Sequence, residues 1–320
     1  HPVTFSAKDD IYFYEDGVYK DTGIDVIKEF LNSKFYKYKT EDNEPIIDIR
    51  KIKEIIEKIK NICIDKREEF DKDIAIINMK NGLYNWQTGE FKPHSIEYKS
   101  LIQIPVIYNP DARCPVHEEV LKEILPQEYY TLCLEYIAYL LYRRYDIQKV
   151  LFLYGKGGTG KSVFLDILKK FVGENNCTSY SIHDLATKPF SIYRLYSKSL
   201  NECGEINNEN LNNSSVFKMA TSRTDIMTGE RKFLDPIYFI NFAKFVSACN
   251  EFFPIKDQST GFWRRPIIIQ FMKTYDTSEY DYGRLEKLGT DEELSGLFNL
   301  VIKLLPDLIK RMAFTNQPTT

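Results

Sequence analysis

Residues 155–162 read Gly-Lys-Gly-Gly-Thr-Gly-Lys-Ser, a complete G-x4-G-K-[ST] pattern. The apolar run Val150–Tyr154 precedes it, and the residues that follow Ser162 have helical spacing. Glycines let successive N–H groups curl around phosphate oxygens, and the N-terminus of a helix adds a positive end. The pattern therefore predicts an ATP-binding loop. Its residues are Gly155, Lys156, Gly157, Gly158, Thr159, Gly160, Lys161, Ser162 and Val163.

Within this loop, Lys161 is expected to reach the β- and γ-phosphates, and Ser162 to bind Mg²⁺ through its hydroxyl. Hydrolysis also requires a carboxylate for the metal and the attacking water. The segment from Lys198 to Ile206 offers Glu202 and Glu205, and neither follows a clean hydrophobic run. We favour Glu205 as the metal-binding acid and keep Glu202 as the alternative. A solvated surface acid is the plainer interpretation of either residue.

A polar amide and two arginines follow further along the chain. Asn250 ends the apolar run Phe245–Asn250, where it could contact a γ-phosphate or orient water, or simply end a strand in a turn. Arg264 and Arg265 lie between a glycine-containing loop and the run Pro266–Phe271. One of them could be an arginine finger supplied by a neighbouring subunit, and surface salt bridging is the alternative.

Between the acids and Asn250 lies a basic segment with turn signals. Thr228-Gly229-Glu230 is typical of a turn, so a hairpin is predicted over Asp225–Leu234. Basic and aromatic side chains near its tip or arm would suit a phosphate backbone and bases, whereas a plain solvated hairpin needs no partner. The predicted DNA-contacting residues are Lys218, Arg223, Arg231, Lys232 and Phe233.

The elements that must position these residues are visible as periodic patterns. From Lys149 onward, short apolar runs alternate with helical segments, which predicts an α/β fold with a largely parallel sheet. Upstream, Ile24–Leu31 and Ile46–Ile64 have helical spacing, and tight-turn signals predict a small hairpin between residues 74 and 91. The final stretch from Asp291 to Met312 is again helical in pattern.

Composition narrows the class of protein. The chain has 320 residues, 43% hydrophobic and 28% charged, and no apolar run of the ~18 residues that a membrane span needs. The net charge is −3, so any nucleic-acid site must be a local basic patch. Six cysteines without a C-x-x-C pair, and no export signal, predict reduced thiols in a cytoplasm. The chain begins without methionine, which favours a piece of a longer protein.

The order of these motifs resembles the superfamily 3 helicases, in the phage, plasmid and poxvirus primase-helicase branch. The resemblance covers about residues 75–272, including an upstream segment from Lys80 to Asp111. It implies an AAA+ core that forms a hexameric ring, with ATP at subunit interfaces and hairpins in a central channel. It also implies an N-terminal primase-polymerase domain outside this chain. Residues 155–162 match its motif A, Glu205 motif B, Arg223–Lys232 the channel hairpin, Asn250 motif C, and Arg264 or Arg265 the finger.

From the sequence we therefore expect three parts: a mostly helical accessory region at 1–145, an AAA+ helicase core at 146–275, and a helical tail at 276–320. The expected activity is ATP hydrolysis with Mg²⁺, coupled to movement along single-stranded DNA. One rival is a nucleotide-dependent module that loads onto DNA without unwinding it. A monomeric P-loop kinase is a further alternative, although no acceptor site or lid can be identified in the sequence.

Overall fold

The structure is a computed structural model of the chain. It describes residues 4–7, 10–35, 37–41, 45–62, 69–203, 214–250, 257–276 and 281–318. The chain divides into two compact units, one formed by His1–Asp73 with Pro93–Ile102, the other by Ile74–Lys92 with Gln103–Thr320. No helix in these described ranges is both long and apolar enough to cross a membrane. The functional division at residues 145 and 275 that we predict from the sequence stays a prediction.

The first unit combines an antiparallel sheet with two helices. Its elements in chain order are β1 (Thr4–Ala7), β2 (Asp10–Glu15), β3 (Val18–Lys20), α1 (Gly23–Phe35) and α2 (Ile49–Ile62). Tyr12, Tyr19 and Phe70 form its small aromatic core, with 5.0 Å between the ring centroids of Tyr12 and Phe70. Both predicted helices are confirmed, while the sheet ahead of them was not predicted.

The second unit begins with a small antiparallel sheet and two helices. These elements are β4 (Ile76–Met79), β5 (Gly82–Asn85), β6 (Phe91–Lys92), α3 (Pro115–Ile124) and α4 (Tyr130–Tyr139). The hairpin predicted between residues 74 and 91 is confirmed as β4 and β5, which pair in antiparallel register. Helix α4 is buried from Leu132 to Tyr139, which suits a mainly apolar sequence that packs on all sides.

A parallel α/β sheet follows. Its elements are β7 (Val150–Tyr154), α5 (Lys161–Val172), β8 (Cys177–Thr178), α6 (Ile182–Thr187), β9 (Leu200–Cys203), α7 (Ser215–Ala220), β10 (Ile226–Arg231), β11 (Leu234–Ile240), β12 (Lys244–Cys249), α8 (Thr260–Trp263) and β13 (Pro266–Gln270). The strand order is β13-β7-β12-β9-β8, with every neighbouring pair parallel. Strands β10 and β11 form a separate antiparallel hairpin. The predicted α/β class with a parallel sheet is confirmed.

The central strands are apolar because the sheet is covered on both faces. Every residue of β12 is buried, as are the first four residues of β7. The tail helices α9 (Tyr282–Lys287), α10 (Asp291–Ile302) and α11 (Leu305–Arg311) belong to the same unit. Helix α10 is anchored to α3 by Glu293, whose carboxylate accepts hydrogen bonds from the backbone N–H groups of Val116 and His117, each at 3.0 Å.

Candidate functional site

The phosphate-binding pattern lies between a central strand and a helix, as predicted. Strand β7 ends at Tyr154, the loop begins at Gly155, and α5 begins at Lys161. Strand β7 is flanked by β12 and β13, so the loop emerges at the carboxyl edge of the parallel sheet. Ligands of open α/β sheets bind at this edge. The backbone therefore places the loop where a phosphate group can meet the N-terminus of α5.

Three of the loop glycines have no substitute. A Cβ atom on Gly155 would collide with the carbonyl oxygen of Phe271, and one on Gly160 would lie 2.9 Å from the Cβ of Ile124. Gly158 and Gly160 also have φ angles of 73° and 91°, which L side chains rarely adopt. Gly157 faces open space. The glycines thus shape a cradle that the triphosphate of ATP fits.

The side chain of Lys161 is buried and points back into this loop. Its ammonium donates hydrogen bonds to the carbonyl oxygens of Gly155 at 2.5 Å and Lys156 at 2.7 Å. It also lies 3.1 Å from Oδ1 of Asn250. Asn250 directly follows β12, the strand next to β7, so the parallel register brings these two residues together. The structure therefore joins two of the predicted site residues.

The remaining loop residues divide into supporting and accessible groups. Thr159 is buried, and its hydroxyl donates to the carbonyl oxygen of Lys156 at 2.9 Å. Lys156 and Ser162 are exposed, while Val163 is half-buried. Ser162 is the second residue of α5, so its accessible hydroxyl can contribute one ligand to Mg²⁺, which usually takes few ligands from protein.

The two candidate acids have different standing. Glu202 lies on β9, and its carboxylate pairs with the ammonium of Lys169 at 3.3 Å. Lys169 is eight residues beyond Lys161, about 12 Å further along α5. Glu202 is therefore engaged far from the phosphate loop. Glu205 belongs to residues 204–213, which lie outside the described part of the chain. No cluster of three or more potential metal-binding His, Cys, Asp or Glu side chains is present among the described residues.

A cleft of about 450 Å³, including space open to solvent, adjoins the loop. It is lined by Val120, Glu123, Ile124, Gly160, Val163, Tyr275, Asp281, Arg284 and Leu285. Its aliphatic residues offer an apolar wall that suits a nucleotide base. Tyr275 ties the cleft to the loop, since its backbone N–H donates to the carbonyl of Gly158 at 2.8 Å. The sequence analysis missed this cleft, because its walls come from segments far apart in the chain.

The two adjacent arginines have opposite environments. Arg265 is buried, and its guanidinium donates to the hydroxyl of Thr221 at 2.7 Å and to the carbonyl oxygens of Gly261 and Lys218. Burial, and then the charge of Arg264, lower the pKa of Arg265 from its usual value. Arg264 is exposed and contacts the side chain of Gln148. Only Arg264 is therefore accessible to another molecule.

Arg264 also lies at the opposite edge of the sheet from the phosphate loop. It immediately precedes the Arg265–Pro266 start of β13, whose first residue pairs with Val150 at the start of β7. The five residues of β7 separate that level from the loop by about 16 Å. A guanidinium at this end cannot reach a nucleotide bound by the loop of its own chain.

The predicted hairpin exists, but its turn is elsewhere. Thr228-Gly229-Glu230 lies within strand β10, and the chain reverses at Lys232 and Phe233, so the predicted turn position was wrong. Gly229 serves a different purpose, because a Cβ atom there would lie 3.1 Å from the Cα of Tyr193. Glycine in a strand often marks such close backbone approach.

The five predicted DNA-contacting residues are not equivalent. Lys218 pairs with Asp257 at 3.0 Å, and Arg223 pairs with Asp146 at 3.0 Å. Arg231 is buried, with its guanidinium 5.9 Å from the ring centroid of Tyr193. By contrast, Lys232 and Phe233 are exposed at the turn, and the Phe233 side chain is 92% exposed. Only the last two present an uncommitted cation and ring at the tip.

Two protein-family models match the chain. The model described as D5 N terminal like matches residues 2–126, and a family of unknown function, DUF5906, matches residues 153–265. The second match includes the phosphate loop, Asn250 and Arg264, and it ends at Arg265.

Solved structures of the NrS-1 C-terminal region share the fold. An A-form apo structure of that region has a TM-score of 0.58 and 13% sequence identity, and the match covers 98% of this chain and 72% of that one. A second A-form apo structure gives 0.59 and 13%, covering 93% and 66%. A further apo structure gives 0.59 and 12%, covering 98% and 72%. At these identities the likeness shows the fold. Together with the two family models, it supports a protein of the phage primase-helicase type.

Proposed function

We propose that the chain is the ATP-hydrolysing motor of a phage or plasmid replication protein, which acts as a ring on single-stranded DNA in the host cytoplasm. The observation that carries this proposal is the meeting of Lys161 and Asn250 at the phosphate loop, with Arg264 at the other edge of the same sheet. Such a division suits a nucleotide shared between two copies of the chain. A self-contained kinase would need its cations around its own loop.

Within one copy, the loop amides and the α5 N-terminus would bind the triphosphate, and Lys161 would exchange its loop carbonyls for phosphate oxygens. Asn250 would orient the attacking water or the γ-phosphate. Ser162 and Glu205 would hold Mg²⁺, which supplies positive charge to the β- and γ-phosphate oxygens when bound. Arg264 of an adjacent copy would then stabilise the charge that develops on the transferred phosphoryl group.

The DNA contact is proposed for the tip of the β10–β11 hairpin. Lys232 can neutralise a backbone phosphate, and the exposed ring of Phe233 offers a surface for base stacking. The ammonium of Lys232 lies 5.1 Å from the centroid of the Phe233 ring, so the two groups act at one place. A hexamer is the assembly that the family resemblance implies, and a primase-polymerase domain elsewhere in the full protein is part of the same proposal.

Three measurements test this function. Single-stranded DNA should stimulate ATP hydrolysis, ATP should drive separation of a forked duplex, and the mass in solution should rise to that of a ring with ATP and DNA. Hydrolysis and DNA loading without strand separation would identify the chain as a loading module instead. Transfer of phosphate to a small acceptor by a monomer would identify a kinase.

A further inference from the structure

Two pairs of residues meet at the amino edge of the parallel sheet. Strands β7 and β13 begin in register, with Val150 opposite Pro266, and the N–H of Val150 donates to the carbonyl oxygen of Arg265 at 2.9 Å. The residues just before each strand are therefore neighbours. Gln148 and Lys149 precede β7 and stand beside Arg264 and Arg265, which precede β13.

Both parts of Arg264 are bound by this neighbouring segment. The side-chain carbonyl of Gln148 accepts a hydrogen bond from Nη2 of Arg264. The ammonium of Lys149 donates to the backbone carbonyl of Arg264 at 2.7 Å. That carbonyl lies at the C-terminus of α8, where helix carbonyls lack partners within the helix. One residue thus holds the guanidinium and the next holds the main chain.

The charges at this place need an explanation, because two cations are kept side by side. Burial, and then the positive charge of Arg264, lower the pKa of Lys149 from its usual value. The neighbouring Arg265 already uses its guanidinium within the fold. An arrangement that holds one cation inward and leaves the other exposed beside a lysine is suited to meeting an anion.

We infer that Gln148 and Lys149 are positioning residues, which hold the exposed guanidinium of Arg264 ready for the nucleotide bound by an adjacent copy of the chain. This inference rests on the proposed function. An exposed arginine samples many rotamers, and ordering it only when the neighbour's nucleotide arrives would slow the reaction. Contacts that already restrict Arg264 reduce that cost, which is how preorganised groups assist catalysis.

Gln148→Met tests the guanidinium contact, because methionine has nearly the same length and lacks the acceptor. We expect kcat for ATP hydrolysis to fall about 3- to 10-fold, the value of one such hydrogen bond. KM for ATP should stay within about 2-fold, because the loop of the same chain lies at the other end of β7. Gln87→Met is the matched control, since Gln87 is exposed in the turn between β5 and β6.

A double-mutant cycle separates positioning from general damage. In chains that already carry Arg264→Ala, the change Gln148→Met should have no further effect on kcat, because the group that it positions is gone. Lys149→Met should also lower kcat, and Lys149→Arg should restore most of the loss by keeping a donor for the carbonyl. Thermal unfolding of each variant shows whether the fold is intact, and Gln148→Asn provides a second variant at that position if the methionine unfolds.

The outcomes distinguish the two levels of the argument. If Arg264→Ala itself leaves kcat unchanged, the proposed finger fails, and this inference fails with it. If Arg264→Ala slows turnover while folded Gln148→Met and Gln148→Asn turn over like wild type, only the positioning role is overturned. Equal losses from Gln148→Met with and without Arg264 would assign Gln148 a structural role instead.

Discussion

The ammonium of Lys161 lies 3.1 Å from Oδ1 of Asn250, although the two residues are 89 positions apart in the chain. Neighbouring parallel strands bring them together, since β7 leads into the phosphate loop and β12 ends next to Asn250. An amide at this place can sense whether the lysine is bound to loop carbonyls or to a phosphate. The contact couples the loop to the strand that leads away from the hairpin.

Asn250→Ala should slow ATP hydrolysis about 100-fold, the usual cost of removing one polar group aimed at a reacting phosphate or water. Nucleotide affinity should change little, because the loop glycines and Lys161 remain. Parallel measurements of nucleotide binding and single-turnover hydrolysis check this split. Wild-type hydrolysis in the variant would leave Asn250 as a residue that only ends a strand.

Lys161→Ala should lower ATP turnover by about 100-fold or more, since it removes the charge that meets the β- and γ-phosphates. The fold should persist, because no apolar packing is lost. Lys303→Ala is a matched control, as Lys303 is an exposed lysine at the end of α10. Steady-state hydrolysis and circular dichroism provide the two readouts. Unchanged turnover would remove the ATPase assignment.

For the acids, Glu205→Gln should bind ATP but fail to hydrolyse it, because charge and water activation are lost while the loop contacts remain. Glu202→Gln should keep turnover near wild type and lose up to ~1 kcal/mol of stability, because its partner is Lys169. Quench assays for trapped ATP distinguish the two. The reverse pattern would make Glu202 the catalytic acid.

The two arginines should fail in different ways. Arg265→Ala should lower the free energy of unfolding by about 1–3 kcal/mol, because it leaves buried partners without their donor. Arg264→Ala should leave stability nearly unchanged and abolish most turnover, with the defect in the site of the adjacent copy.

Mixing Arg264→Ala chains with Lys161→Ala chains should restore some hydrolysis, at junctions where an intact loop meets an intact finger. Dilution below the association range should remove the rescue. Rings shown to contain both chains, yet without restored activity, would mean that the nucleotide site is not shared.

At the hairpin, Lys232→Ala should weaken binding of single-stranded DNA regardless of sequence and reduce the salt-dependence slope by about 0.7. Phe233→Ala should cost about 1–3 kcal/mol of binding with little change in the slope. Basal hydrolysis without DNA should survive in both. Fluorescence anisotropy at several salt concentrations measures these effects, and unchanged affinity in both variants would return the tip to a solvated turn.

The sequence predicted those parts of the fold that depend on local patterns. Strand β7 and helix α5 were predicted because an apolar run, a glycine-rich loop and a helical repeat follow each other directly. The antiparallel sheet β1–β3 was missed, although Asp16-Gly17 is a hairpin signal, with φ angles of 50° and 84° in the structure. Alternation in these short strands is obscured by the charged residues at their ends.

The hairpin turn could not be located from residue preferences. Phe233 has a φ of 64°, a conformation that favours glycine, so the composition of the segment pointed to Gly229 instead. A register shift between Gly229 and Arg231 accommodates the difference. The tertiary contact of Gly229 with the main chain at Tyr193 decided the matter, and such a contact leaves no local signal.

The site residues show the same limit. Arg264 and Arg265 are adjacent and chemically identical, and only their burial distinguishes them. Likewise, Gln148 carries no motif, and its contact with Arg264 depends on the register of two strands that are more than a hundred residues apart. Spacing predicts which residue types can act, while the fold decides which of them are reachable.

The short strand β7 has a consequence for how damage would spread through an assembly. One end carries the loop that serves a copy's own nucleotide, and the other end begins beside the arm offered to the next copy. Its five residues therefore act as a common ruler for two separate reaction centres. A distortion in the middle of the strand, for example at the buried Phe152, would misalign both centres at once, so one defective chain would silence two junctions of a ring.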